Sequence, residues 1–258
     1  MLLGGLLLLQ CGGERYRQSA LVRNTPTERV RSIALGRTKL TGIARADDRP
    51  FDQPFGDGKC IYANWKIEER SPDSWRTLER GTLSDQFLLE DETGTVLVRS
   101  PHEDEFETVI DYPRGANVVS CTRDLATVTI SDENTLETTV DGGERPSEAV
   151  VEWLQGLELS PTTGNHRRYT QKVMPPETDV QVLGTATRDE SIESPRYEND
   201  LVIERDEASG LFHLADIQDS HVTSSYFRSS LMMLGLGLAL SAGGLTVLLL
   251  GAPRLGLL

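Results

Sequence analysis

The twenty residues from Leu231 to Leu250 contain no ionisable side chain and no Asn or Gln. As a helix rising about 1.5 Å per residue they would be roughly 30 Å long, the thickness of a bilayer's hydrocarbon core. Arg228 and Arg254 bracket the run. A transmembrane helix is therefore expected over 228–251, with a tail at 252–258, so that every polar-surfaced part of the chain precedes it. Within the helix Gly235, Ala239 and Gly243 recur every four residues. That spacing puts small side chains on one face and predicts close packing against a first helix or against a second copy, a homo-oligomer contact.

Met1 to Leu9 is also apolar, but it covers only about half a bilayer and lacks a basic leader. Segment 1–13 reads as the end of a truncated first transmembrane helix. Directly after it, Glu14 to Arg45 holds eight basic residues against two acidic ones, whereas the whole chain carries a net charge of −14. Lys and Arg beside a membrane segment favour the cytoplasmic side, which places the domain at the cytoplasmic face of the cell membrane with the lipid bilayer as its first partner. The rest of the chain is strongly acidic, which repels phosphate backbones and argues against nucleic acid as a partner. Only Lys39, Lys59, Lys66 and Lys172 are lysines. Excess carboxylate with few lysines is a composition of the haloarchaeal type, keeping a surface hydrated where charge screening is nearly complete.

Thr25, Pro26 and Glu28 read as the start of a short helix ended by Gly36, closing a juxtamembrane segment at 14–35. From there the hydrophobic period is two. Extended runs are expected at Thr38–Arg45, Cys60–Arg70, Trp75–Arg80, Ala116–Ser120, Ala126–Ser131, Arg167–Val173, Asp179–Thr187 and Leu211–Ala215, with a hairpin at Gln86–Arg99 turning on Asp91–Gly94. Pro50–Gly58 reads as a surface loop, and Ser147–Leu157 as a helix with Val150, Val151, Leu154 and Leu157 on its apolar face. The fold class is mainly β (α+β): antiparallel strands in one or two barrel-like units with short helices, over 36–222 with halves at 36–145 and 146–222. A faint internal echo aligns Gly42, Ala44 and Asp47 with Gly184, Ala186 and Asp189, each copy being followed by a glycine-ended turn, Asp91–Gly94 and Asp206–Gly210. Similarity among strands and Asp-Gly turns accounts for such an echo more readily than duplication does.

Several segments in order, Thr25–Ser32, Gly36–Ala44, Phe51–Pro54 with Lys59–Tyr62, Phe87–Val98, Arg168–Thr170, Val180–Gly184 and Phe212–Leu214 before the terminal helix, resemble the GIDE family. This is the membrane-flanked β domain, also called the BAM domain, of mitochondrial RING-type E3 ubiquitin ligases and its prokaryotic relatives. The resemblance implies a domain held between two membrane helices. It does not carry ligase activity across, because a RING holds two zinc ions through eight Cys and His ligands, and this chain has three Cys and four His, scattered.

No other catalytic constellation stands out. His102, His166, His213 and His221 have no ligand partner at helical or paired spacing. Cys60 and Cys121 sit in or beside strands, where cysteine is usually a small buried apolar residue. Gly56 to Lys59 lacks the spacing of a phosphate loop, and Glu68–Glu69, Asp91–Glu92 and Glu103–Glu105 are neighbours that 40 carboxylates produce by chance. No cofactor, metal or catalytic residue is assigned. The expected function is a membrane-anchored, non-catalytic GIDE-like protein that binds a protein or lipid partner. The alternative is an E3-related component or an enzyme whose site forms only on folding.

Overall fold

The computed structural model describes residues 2–100, 125–189, 200–206, 210–216 and 231–243 apart from 233. The strand expected at Ala116–Ser120, together with Cys121, His102, His221, the Glu103–Glu105 run and the ends of the expected span at 228–251, lies outside the described residues. The chain divides into two units, one holding the helices near both ends and the other running from Thr27 to Asp219 without 109–123.

In the first unit, α1 (Leu2–Asn24) is continuous through the basic residues, so the boundary expected at residue 13 falls inside a helix. It stops where the sequence suggested a start. Thr25 donates its N–H (3.1 Å) and its hydroxyl (2.7 Å) to the Leu21 carbonyl, closing the last turn. Pro26 then bars further helix, since it has no N–H and pushes the residue before it into extended backbone. Residues 231–243 are helical on either side of 233. Among the described residues no helix is long and apolar enough to cross a membrane. The charged C-terminal half of α1 accounts for that in the first helix, and only 231–243 of the second are described.

The second unit begins with β1 (Thr27–Glu28), a single 3-10 turn at Val30–Ser32 in place of the expected helix, and β2 (Gly36–Ala46). Tertiary bonds override the helical signal: β1 lies parallel to β2, and the Thr38 hydroxyl donates to Glu28 Oε2 at 3.0 Å. There follow β3 (Phe51–Asp52), β4 (Lys59–Cys60), β5 (Tyr62–Arg70), β6 (Trp75–Ser84), β7 (Phe87–Asp91) and β8 (Gly94–Val98). After 101–124 come β9 (Leu125–Thr129), β10 (Thr135–Val140), α2 (Glu148–Gly156), β11 (Arg167–Met174), β12 (Thr178–Arg188), β13 (Leu201–Glu204) and β14 (Leu211–Asp216). The mainly β expectation thus stands, with β1, β3, β10 and β13 as strands that periodicity did not reveal.

β2, β7, β8, β13 and β12 pair in that order, and β12 pairs back to β2, which closes a five-strand barrel. Strands from both halves of the chain share this one ring. Its interior is filled by alternate residues, among them Leu40, Ala44, Phe87, Leu89, Val96, Val98, Val180, Val182 and Ile203, all essentially without exposure. Such alternation is what period-two sequence dictates when one face is buried.

The internal echo has a geometric counterpart. Leu40 faces Val182, the two positions that the echo aligns, and the β2–β12 ladder extends equally to both sides, from Ala44–Thr178 to Gly36–Ala186. On its other side β2 leaves β1 after Leu40 and meets β7 from Ile43, while β12 leaves β14 after Leu183 and meets β13 from Thr185. Gly42 and Gly184 stand at these changes of partner. A Cβ on Gly42 would run into the Glu90 carbonyl, and one on Gly184 would lie 2.8 Å from the Glu204 carbonyl, so both positions require the absent side chain. The echo fails at Asp206–Gly210: β13 and β14 run in the same direction along β12, and the turn between them is an excursion, not a hairpin.

Two insertions, β3–β6 and β10–β11 with α2, combine into a four-stranded sheet ordered β10-β11-β5-β6. α2 brings Val150 and Leu154 onto Trp65, Ile67 and Tyr169, following the i, i+4 spacing of its apolar face. Phe55 also enters this core, edge-on to Tyr169 at 5.5 Å, so Pro50–Gly58 is only partly a surface loop. Its buried N–H is satisfied by Gln171 Oε1 at 2.7 Å.

Candidate functional site

Glycine sets the contact between the two helices. Gly5 and Gly12 of α1 are buried against the second helix: a Cβ on Gly5 would be 2.7 Å from the Ser241 N, and one on Gly12 would be 3.1 Å from the Leu234 N. In return a Cβ on Gly237 would be 3.0 Å from the Leu9 N. Positions 5 and 241, 9 and 237, and 12 and 234 approach in pairs, so the helices run antiparallel. Backbones this close form only where side chains are absent. The contact with α1 uses a different face of the second helix from the one expected. Gly235 and Gly243 have nothing within 4 Å and Ala239 is exposed, so the four-residue pattern lies off the seam, while Leu234, Gly237 and Ser241, at a spacing of three and four, form it. Among the described residues, Leu6, Tyr16, Leu231, Met232, Leu236 and Leu238 lie outside the seam and are exposed.

In the second unit, the face of the four-stranded sheet opposite α2 is polar. Even-numbered residues of β5 and β11 share it, with Arg168 opposite Glu68, Thr170 opposite Lys66 and Lys172 opposite Asn64. Glu68 is buried, and its carboxylate accepts from Arg168 Nη2 (2.7 Å) and Nε (2.9 Å) and pairs with Lys66 Nζ at 3.2 Å. Arg168 also lies over the Trp75 ring at 4.6 Å, with Arg70 over the same ring at 5.5 Å. A planar guanidinium suits this combined role of bidentate pairing and stacking. Glu68 was dismissed in the sequence as a chance acidic neighbour of Glu69; the strand sends the two to opposite faces, Glu69 reaching Arg167 Nε at 3.3 Å instead.

The remaining candidates are structural. The Cys60 thiol is buried, and burial, reinforced by the Asp52 charge, pushes it up to about 12, too high for a thiolate nucleophile. Burial lowers His213 to about 4, so its imidazole stays neutral in β14. His166 Nδ1 lies 2.8 Å from Asp141 Oδ1 at an exposed site. Asp91 is a cap: burial alone would raise its carboxyl, but hydrogen bonds from the Thr93 hydroxyl and from the N–H groups of Val30, Thr93 and Gly94 hold it below the usual range. Asp216, buried, accepts from the Ser131 hydroxyl at 2.7 Å and from Asn134 Nδ2 at 3.3 Å, tying β14 to the turn before β10. Among the described residues no group of three or more His, Cys, Asp and Glu converges as metal ligands.

No protein-family model, no curated protein and no solved structure matches this chain.

Proposed function

We propose that this chain is a membrane-anchored binding module of GIDE-like type, non-catalytic in itself, whose β unit takes a partner at the cytoplasmic face of the cell membrane. The observation that carries the reading is the distribution of exposed apolar bulk. Among the described residues eight large hydrophobic side chains are exposed, and six of them lie on the two helices, the others being Leu35 and Leu136. In water such a patch is costly at about 25 cal/mol per Å², and a soluble pair of helices would turn those side chains toward each other. Here the helices place Gly5, Gly12 and Gly237 in the contact and leave Leu6, Leu231, Met232, Leu236 and Leu238 exposed, the arrangement that lipid favours because tails solvate apolar side chains while close backbone packing holds the helices together. The uncharged run Leu231–Leu250 supplies the length, and Arg15, Arg17 and Arg23 supply the inward charge bias. The free face bearing Gly235, Ala239 and Gly243 suits a second copy.

The test is flotation and alkaline extraction of membranes containing the full chain, beside a variant lacking Leu231–Leu250. The full chain should resist extraction, and the deletion should release most of it; extraction of the full chain with peripheral proteins refutes anchoring. Sidedness follows from Glu144→Cys in a cysteine-free background, Glu144 being exposed, whereas Gly142 would bring a Cβ against the Gly164 carbonyl. Labelling by an impermeant maleimide only after lysis is the expected result.

A further inference from the structure

The polar face of the four-stranded sheet breaks a local rule. Lys66 of β5 stands directly opposite Arg80 of β6, and like charges directly opposite, with Cβ atoms about 5 Å apart, destabilise a pair of strands. The register fixes the side: Trp65 faces Gly81 in the core, where a Cβ on Gly81 would meet the indole, and Asn64 donates to the Thr82 hydroxyl on the outer side, so Arg80, next to Gly81 and two residues from Thr82, points outward. Lys66 is held by Glu68, but Arg80 is exposed and pairs with no described carboxylate. Around it the face carries Arg70, Lys66, Arg80, Arg168 and Lys172 against only Glu68 and Glu137, in a chain whose net charge is −14. The sign of the local field is thus reversed from that of the molecule. Arg70 and Arg168 are held against Trp75, which reduces the entropy lost when an anion binds. Thr77 and Thr139, exposed on flanking strands, add hydroxyl donors.

We propose that this face docks an acidic peptide segment of a partner protein, with carboxylates on Arg80 and Arg70 and with Lys66 and Arg168 behind them. Four strands about 4.8 Å apart give a strip roughly 14 Å wide, enough for one extended segment. A membrane surface or a duplex would extend past the strip onto the acidic remainder of the unit and be repelled, whereas a short acidic segment would not. This names the partner class for the binding-module reading and rests on it.

The experiment uses the full chain in zwitterionic nanodiscs and a fluorescein-labelled octapeptide of alternating Glu and Ser, read by anisotropy at low salt. Saturable binding is expected, weakening as salt is raised and falling at least about tenfold in Arg70→Glu/Arg80→Glu, since two charge-assisted contacts are lost and two repulsions gained. The variant Arg29→Glu/Arg145→Glu, with the same net charge, should bind within about twofold of the parent, its changes lying off this face. Absence of saturable binding, or equal loss in both variants, overturns the proposal. So does preferential binding, sensitive to Arg70→Glu/Arg80→Glu, of a single-stranded oligonucleotide or of anionic vesicles, or self-association abolished by that variant, because each assigns the face to a different occupant. Flotation of the same preparations is scored separately, so a failed peptide titration with intact membrane insertion removes the acidic-segment proposal and leaves the anchoring reading standing.

Discussion

Asp91→Asn tests how the start of the β unit is fastened to the barrel. Asp91 Oδ1 accepts from the Thr93 N–H (2.6 Å), the Thr93 hydroxyl (2.7 Å) and the Gly94 N–H (3.0 Å), while Oδ2 accepts from the N–H of Val30 at 2.9 Å. Val30 has no exposure, so its N–H has no access to water. An asparagine with its oxygen in the turn keeps the first three bonds in weaker, neutral form and sets its NH2 against the Val30 N–H. Loss of one charge-assisted bond and burial of an unsatisfied donor cost about 2–3 kcal/mol together. With a urea slope of about 2–3 kcal/mol/M for a unit of this size, the midpoint should fall by about 1 M. All three tryptophans, Trp65, Trp75 and Trp153, lie in this unit, so their fluorescence reports its unfolding in the full chain. The deficit must also depend on pH. Because the folded carboxyl titrates below its unfolded value of about 3.9, its stabilisation is complete above that value and is lost as pH falls through the folded one. The variant's deficit should therefore shrink as pH falls below about 3.9. A midpoint shift under about 0.2 M at pH 7, or a deficit unchanged between pH 7 and 3, refutes the argument.

Gly42→Val and Gly184→Val should each destabilise the barrel by about 1–3 kcal/mol or more, since a carbonyl occupies the space of the new side chain; urea midpoints equal to the parent's would remove the explanation given for the echo. With Cys11 and Cys121 replaced by Ser, Cys60 should react with a maleimide at pH 8 only at the rate of global unfolding, its thiol being buried and raised to about 12; stoichiometric labelling of that native chain within seconds contradicts this. His213 titrates at about 4 in the fold against about 6.5 unfolded, so its neutral form stabilises fully above pH 6.5 and stability declines as pH drops toward 4. His213→Gln should flatten that part of the stability–pH curve, and an unchanged slope would assign it to other groups. In a cysteine-free background, Leu9→Cys/Gly237→Cys should cross-link within one chain under mild oxidation while Gly13→Cys/Gly235→Cys does not; the reverse pattern would restore the four-residue face as the seam.

Strand periodicity was legible because each long strand has one buried face: Leu40 and Ala44, Val180 and Val182, and Phe212 and Leu214 announce their sides by alternation. β10 escaped because its run from Thr135 to Val140 has only Leu136 and Val140 as apolar residues, four apart, and is held by pairing with β11, a partner more than 25 residues away. The helix read into Thr25–Glu28 had the right local signals and lost to contacts that no local pattern contains, the parallel ladder to β2 and the Asp91 cap. The face of the second helix that meets α1 was not singled out for a related reason. A four-residue spacing of small residues shows which faces permit close approach, and this helix has two such faces; Gly5 and Gly12 on the opposing helix select between them.

Charge was legible in amount and not in place. A net −14 predicts an acidic surface and says nothing of strands that carry the opposite sign on one face, because that requires knowing that Lys66, Arg80 and Arg168, separated by up to about 100 residues, occupy three neighbouring strands. Glu68 then acquires a meaning that composition cannot give. Buried beneath Arg168 and Lys66, it neutralises enough charge for the cluster to fold, and Arg80, opposite Lys66 and without a carboxylate among the described residues, is a cation it leaves uncompensated. A cluster built only for stability would place an acid opposite Lys66, since an opposite-charge pair contributes there what a like pair costs. The retained arginine is therefore the residue at which stability and binding make different demands, and Arg80→Glu should raise the urea midpoint of the unliganded chain while it weakens capture of the acidic peptide.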